Sequence, residues 1–208
     1  TELSTAGRYQ VRLFHPGKSK FVWVTVDDQV PCCEGAAAFA SITESGEIWV
    51  CLLEKAFAKL CGTYSSLEGG SESWGMLYLC GSGAESWNKD EDSGLWMPSF
   101  CQFNGGAGDK IKRLDDGVEE FVESDSSACA NAKQLWSKLL EWCGKAFALG
   151  CGITEEKSEM YGLISGHAYS LITVREIHVK KNNCTLQLVK IRNPHGESEW
   201  EGRWSDKS

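Results

Sequence analysis

The chain holds ten cysteines, at 32, 33, 51, 61, 80, 101, 129, 143, 151 and 184, and four histidines. A thiolate is an intrinsically strong nucleophile near neutral pH, and an imidazole is well suited to take its proton and pass it on. His167 opens a β-branched run, His167 to Val174, and Asn193 closes a second one, Thr185 to Ile191; 26 residues separate the pair. A hairpin between the two runs would bring their outer ends side by side. The asparagine amide oxygen could then hold one ring nitrogen and leave the other for proton transfer. Opposite a cysteine thiolate, such a pair completes a nucleophile, base and orienter for acyl transfer. The plain alternative is two structural residues on an ordinary hairpin.

The thiols read as small hydrophobes more than as a framework. Cys51 and Cys61 lie in an apolar helical pattern, and Cys151 lies in the apolar run Ala146 to Ile153. No Cys-x-x-Cys occurs and no cysteine stands at zinc-finger spacing from a histidine, so no zinc is expected. Reduced thiols in an intracellular, cytoplasmic setting are predicted. No signal peptide opens the chain, although a start at Thr1 leaves room for processing or truncation.

The elements that must position His167 and Asn193 are legible around them. His167 to Val174 and Ile177 to Val179 lead into Lys180 to Asn183, a polar turn, and the return strand alternates Leu186, Leu188 and Ile191 with polar neighbours. Upstream, Phe21 to Val26 reads as a strand ending at Asp27-Asp28. Glu47 to Leu60 then switches to helical spacing, with Ile48, Leu52, Leu53, Ala56, Phe57 and Leu60 inward, Glu54, Lys55 and Lys59 outward, and Gly62 as the stop. Gln134 to Ala148 predicts another helix burying Leu135, Trp136, Leu139, Leu140 and Phe147. Between them, Glu68 to Gly108 is dense in Gly, Ser and Trp and reads as loops and turns, and Asp109 to Asp125 as a solvated charged segment. No internal repeat is present.

Composition excludes several classes. With 21 basic against 29 acidic residues and a net charge of -8, the chain lacks the clustered Lys and Arg from which nucleic-acid binding draws its affinity. Hydrophobic residues at 42% and charged residues at 24% argue against disorder. No apolar run approaches the ~18 residues of a transmembrane helix. The acidic surplus leaves cations open as ligands.

The blocks around the candidate pair resemble the protease core of the calpains. Gly166-His167-Ala168-Tyr169-Ser170 is similar to their histidine motif, and Ile191-Arg192-Asn193-Pro194-His195-Gly196-Glu197 to their asparagine motif, continued by Glu199-Trp200-Glu201-Gly202-Arg203-Trp204-Ser205-Asp206. Val24 to Pro31 and Trp49 to Gly70, with Leu52 to Lys59 and Gly69-Gly70, follow the same family in the same order. The resemblance spans residues 1–208 apart from a diverged or inserted stretch at about 88–130. It implies an α+β, papain-like cysteine peptidase fold, here the calpain-type β-rich lobe with an antiparallel sheet and flanking helices. It also implies His167 as base, Asn193 as orienter, and polypeptide substrates or protein partners in an assembly.

Further roles follow by the same resemblance. Gly69, Gly70 and Gly166 match backbone that lies along an extended substrate, with tight turns as the other reading. Glu47, Glu199 and Asp206 match calcium-coordinating carboxylates, with plain solvation as the other reading. Trp200 and Trp204 are expected in the core. Two departures stand out: the family's Gln…Gly-x-Cys-Trp nucleophile motif is absent, and His195 stands where the pattern has a Trp. Two functions therefore remain. One is the His/Asn part of a calcium-dependent cysteine endopeptidase whose nucleophile comes from elsewhere, inactive alone; the other is a non-catalytic, calpain-like interaction subunit.

Overall fold

The computed structural model describes residues 6–42, 46–103, 118–122, 129–153, 160–196 and 198–206, with backbone alone at 118–122 and 160. It forms an α+β chain of antiparallel sheets and helices, divided into two compact units: Thr1–Asn88 with Met97–Ala128, and Lys89–Trp96 with Cys129–Ser208. Each is taken by itself.

The first unit opens with a hairpin that sequence reading had entered only at its second strand. β1 (Arg8–His15) pairs antiparallel with β2 (Lys20–Asp27) from Arg8 opposite Asp27 to His15 opposite Lys20. The signal for β1 was there: Tyr9, Val11 and Leu13 alternate with Arg8, Gln10 and Arg12. A single turn of 3-10 helix, Pro16–Lys18, joins the strands, and Ser19 closes it in the left-handed region at φ 47°. After the short strands β3 (Cys32–Cys33) and β4 (Ala36–Ala37) comes α1 (Trp49–Cys61), ended by Gly62 at φ 105° as its spacing predicted. Leu52 and Ala56 of α1 pack into one core with Tyr9, Leu13, Val24 and Val26. Each such large side chain, fully buried, contributes about 1.5–3 kcal/mol.

The outward residues of α1 clamp it to the hairpin. Lys59 Nζ donates to the Thr25 carbonyl at 2.7 Å, and Lys55 reaches both the Asp27 carboxylate and the Gln29 carbonyl. The Lys55 hydrogen bond, with help from the Gln29 N–H, holds the Asp27 carboxyl below its usual range.

The glycine-dense stretch from Glu68 to Gly108 is not simply loop. It contains α2 (Glu72–Cys80), β5 (Ala84–Lys89) and β6 (Trp96–Phe103), and β6 pairs with β7 (Val118–Val122). Glycines and serines that read as a loop are the caps of α2. The Ser71 hydroxyl accepts from the Ser73 N–H, and Gly81, left-handed at φ 68°, returns its N–H to the Leu77 carbonyl. Most of α2 is apolar around its circumference, so no helical stripe announced it. The rest of the charged segment at 109–125 lies outside the described residues.

In the second unit α3 (Ala132–Gly144) starts on a capping box between Asn131 and Gln134, and buries Leu135 and Trp136. Trp136 Nε1 donates to Glu176 Oε1 at 2.7 Å, pinning α3 to the sheet. Leu140 and Phe147, expected inward, are exposed: Leu140 is on the helix's outer side and Phe147 lies past its end. The sheet has the order β10-β9-β8, all antiparallel, with β8 (Leu149–Ile153), β9 (His167–Val179) and β10 (Cys184–Arg192). Lys180–Asn182 form one turn of 3-10 helix and Asn183 closes the hairpin at φ 45°. Among the described residues no helix is long and apolar enough to cross a membrane.

Candidate active site

The open end of the β9–β10 hairpin is where the two expected residues meet. β9 begins at His167, and β10 ends at Arg192, opposite Ser170, one residue before Asn193. Leu171 opposes Ile191, so the alternation of strand side chains puts Leu171, Tyr169, His167, Ile191 and Asn193 on one face. β8 continues that face, with Leu149 opposite Leu171, Cys151 opposite Tyr169 and Ile153 opposite His167. His167 thus stands at the rim of a partly buried apolar face.

His167 Nε2 and Asn193 Oδ1 are 2.7 Å apart. Three contacts decide the protons. Asn193 Nδ2 donates to the Ser198 carbonyl at 3.2 Å, and Oδ1 also accepts the His195 N–H at 3.0 Å, so the amide oxygen faces the ring. An amide oxygen only accepts, and Nε2 must donate to it. In the neutral ring the lone pair is then on Nδ1, which is the basic atom. The ring is flanked edge-on by Tyr169, centroids 4.8 Å apart, and by His195 at 4.6 Å. Tyr169 is buried and its hydroxyl accepts the Ile164 N–H at 2.8 Å, so that side of the imidazole rests on a fixed wall. His195 is exposed.

The chain into and out of the pair is shaped by backbone needs. Gly166 precedes His167 at φ 63° and donates to the Ile153 carbonyl at 2.7 Å; Gly69 and Gly70 are at φ 74° and 139°. These angles favour glycine on conformational grounds. A Cβ at Gly69 or Gly166 would meet nothing within 4 Å, so the space above them is open. Gly69, Gly70 and Glu47 belong to the first unit, whereas Gly166, His167, Asn193, Glu199 and Asp206 belong to the second.

Glu199 and Asp206 are exposed, at either side of a turn at Gly202. The Glu201 N–H donates to the Tyr161 carbonyl at 2.8 Å, Trp200 Nε1 to the Arg203 carbonyl at 2.8 Å, and the Ser205 N–H to the Gly202 carbonyl at 3.3 Å. Trp200 folds over Gly202 and packs on Tyr161; Trp204, expected in the core, is 53% exposed. Among the described residues no three His, Cys, Asp or Glu side chains converge as a metal site. Two carboxylates fall short of the ~6–8 oxygens calcium takes.

None of the ten cysteines is bonded to another. Burial, with the Glu54 charge nearby, pushes the Cys51 thiol up, away from nucleophile character. Cys32 and Cys33 are exposed in the first unit. Cys151, across from Tyr169, is a diagonal step from His167, a relation sequence reading did not anticipate because it depends on the β8–β9 register.

The chain is similar to known proteins along its whole length. The model of the calpain family of cysteine proteases matches residues 1–208. The calpain-type cysteine protease ADL1 of Oryza sativa subsp. japonica is 34% identical over 212 residues, covering 100% of this chain and 8% of that protein. The calpain-type cysteine protease DEK1 of Arabidopsis thaliana is 33% identical over 100% of this chain and 8% of its own length. The human calpain-2 catalytic subunit is 31% identical over 97% of this chain and 23% of its own length. The chain thus spans less than a quarter of the curated relatives it matches. Because the family match runs from the first hairpin through the loop after Asn193, the chain belongs to the calpain family of cysteine proteases.

Proposed function

We propose that the chain contributes the base and orienter of a cysteine endopeptidase acting on polypeptides. The observation that carries this reading is the His167 to Asn193 hydrogen bond, whose direction leaves Nδ1 as a lone-pair donor at the rim of the sheet. Nδ1 takes the proton of a cysteine thiol, the thiolate attacks the peptide carbonyl, and the imidazolium returns that proton to the departing amine. Asn193 keeps the ring in the productive tautomer and angle throughout. Gly166, and separately Gly69 and Gly70 of the first unit, are proposed as backbone that faces extended substrate.

The thiolate is proposed to come from outside these 208 residues, from more of the same polypeptide or from a second chain. The 208 residues alone then cleave nothing, because acyl transfer needs a thiolate within about 3–4 Å of the imidazole and donors aimed at the oxyanion. Glu199 and Asp206 are proposed as ligands of calcium, with further oxygens supplied by other groups; Glu47, in the first unit, is a separate and weaker candidate whose partners would come from outside these residues. Calorimetry at millimolar calcium tests this, and absence of any heat removes it for this chain.

The decisive assay compares casein cleavage by the isolated 208 residues with that by the whole protein that carries them. Cleavage by the whole protein, reduced about 10²- to 10⁴-fold by His167→Ala, is expected. A whole protein with no activity, yet with an intact His167 to Asn193 hydrogen bond, would instead favour a calpain-like interaction subunit.

A further inference from the structure

We propose that Tyr169 is a positioning residue for His167: its ring fixes the plane of the imidazole, and its hydroxyl closes the backbone around it. The consequence for catalysis rests on the reading of His167 as base; the positioning itself does not.

One hydrogen bond does not orient an imidazole. The 2.7 Å contact from His167 Nε2 to Asn193 Oδ1 holds a single ring atom, about which the ring can still tilt. Tilt matters for proton transfer, because the Nδ1 lone pair must aim at a thiol within hydrogen-bond reach. A second contact is needed, from a group that is itself held. Tyr169 meets both conditions. Its ring stands edge-on to the imidazole at 80°, centroids 4.8 Å apart, a favoured aromatic geometry, and the residue is only 5% exposed. Residues two apart on a strand share a face at about 6.6 Å, so the two rings lean toward one another. Strand β8 supports both, with Cys151 opposite Tyr169 and Ile153 opposite His167. The ring's other aromatic neighbour, His195, is exposed, so the buried support is Tyr169.

The hydroxyl acts on the backbone. It accepts the Ile164 N–H at 2.8 Å, five residues back, so Ser165 to Ala168, with His167 among them, lie inside a ring of bonds closed by one side chain. Gly166, left-handed at φ 63°, donates its N–H to the Ile153 carbonyl at 2.7 Å. The chain entering His167 is therefore fastened to β8 through Gly166 and to β9 through Tyr169. Tyr169→Phe removes the second fastening and keeps the ring; Tyr169→Met removes both. Because Tyr169 is buried, it meets His167 and not the substrate, and its loss should act on kcat and not on KM.

The test follows the His167 imidazole nitrogens by side-chain 1H–15N NMR. In Tyr169→Phe the Nε2–H tautomer is expected to persist, with exchange of that proton with water faster by about 2- to 10-fold, the weight of one ordinary hydrogen bond. In Tyr169→Met the Nε2–H signal is expected to be lost to exchange and the two tautomers to mix. Val174→Ala removes buried volume further along β9 and is expected to leave the imidazole signals as in wild type. Wild-type exchange and shifts in Tyr169→Phe would overturn the proposal, and that variant decides alone if Tyr169→Met does not fold. An equal acceleration in Val174→Ala would also overturn it, by showing general loosening of the strand. In the whole protein, Tyr169→Met is expected to lower kcat on casein by about 10²-fold, as a displacement of ~1 Å does, with KM nearly unchanged. A raised KM at wild-type kcat would overturn the catalytic consequence. Imidazole changes in a whole protein without activity support the positioning and remove only the peptidase reading.

Discussion

The two hairpins, β1–β2 and β9–β10, turn in the same way and serve different ends. Each reverses through one turn of 3-10 helix and a left-handed residue, Ser19 at φ 47° in the first and Asn183 at φ 45° in the second. The first runs in unbroken register for eight pairs and buries Tyr9, Leu13, Val24 and Val26 against α1. The second carries an irregularity: Lys190 opposes Thr173 but Ile191 opposes Leu171, so Ile172 is an extra residue on β9. A bulge resets the alternation of side chains. Tyr169 and Val174, an odd number of residues apart, are therefore both buried, each 5% exposed or less. One hairpin is a core element throughout, whereas the other uses its bulge to seat Val174 and Glu176 near α3 while its open end presents His167 and Asn193. A sheet end left partly unburied is what keeps the His167 imidazole accessible.

Core substitutions break or sharpen that contrast most strongly. Leu13 is fully buried, and Leu13→Ala is expected to cost about 2–5 kcal/mol, whereas Val189→Ala, at 46% exposure on β10, is expected to stay within about 0.5 kcal/mol. Urea titrations measure both, and equal losses would abolish the distinction. Deleting Ile172 forces one half of β9 to give up its face. If Val174 is the residue turned out to solvent, the cost is about 1.5–3 kcal/mol, with faster amide exchange in β9 than in β1.

Smaller effects come from the turns and the clamp. Ser19→Gly is expected to stabilise by about 0.5–1 kcal/mol because serine tolerates the left-handed region poorly. Asn183→Gly is expected to gain less, since asparagine adopts that region more readily. Thermal melts that reverse this order would show that the turns are not equivalent. The Asp27 to Lys55 pair gives the smallest effect. Its folded-state pKa is depressed, so its contribution is present above the ordinary value of 3.8 and is lost as pH falls through the lower folded value. Asp27 is exposed, and Asp27→Asn is expected to flatten acid-side stability only slightly, read from melts between neutral pH and pH 3.

Strong periodicity made parts of the fold legible. The spacing of Leu52, Ala56 and Leu60 predicted α1, and the turn residues Lys180 to Asn183 predicted the second hairpin, within a residue or two of where both lie. α2 was illegible because its caps are residues that also make loops and its circumference is mostly apolar. Leu140 and Phe147 were placed inward by helical spacing, yet α3 presents to the sheet only the stripe containing Leu135 and Trp136. The step from Leu188 to Ile191, three residues where alternation calls for two, puts Ile191 on the opposite face of β10 from Leu186 and Leu188, whereas the extra residue Ile172 on β9 depends on pairing and has no local signal.

What the sequence determined by itself was the chemistry on offer: a histidine and an asparagine at the outer ends of two strands joined by a turn, in motifs that resemble one family. Hydrophobic period and turn residues are local properties and can be read locally. Tertiary structure decided which amide atom faces the imidazole, which ring nitrogen stays basic, and that His195 and Tyr169 flank the ring. Those outcomes depend on register, and register is set by which faces of β8, β9 and β10 are buried together. A shift of one residue in that pairing would have sent His167 and Asn193 to opposite sides of the sheet.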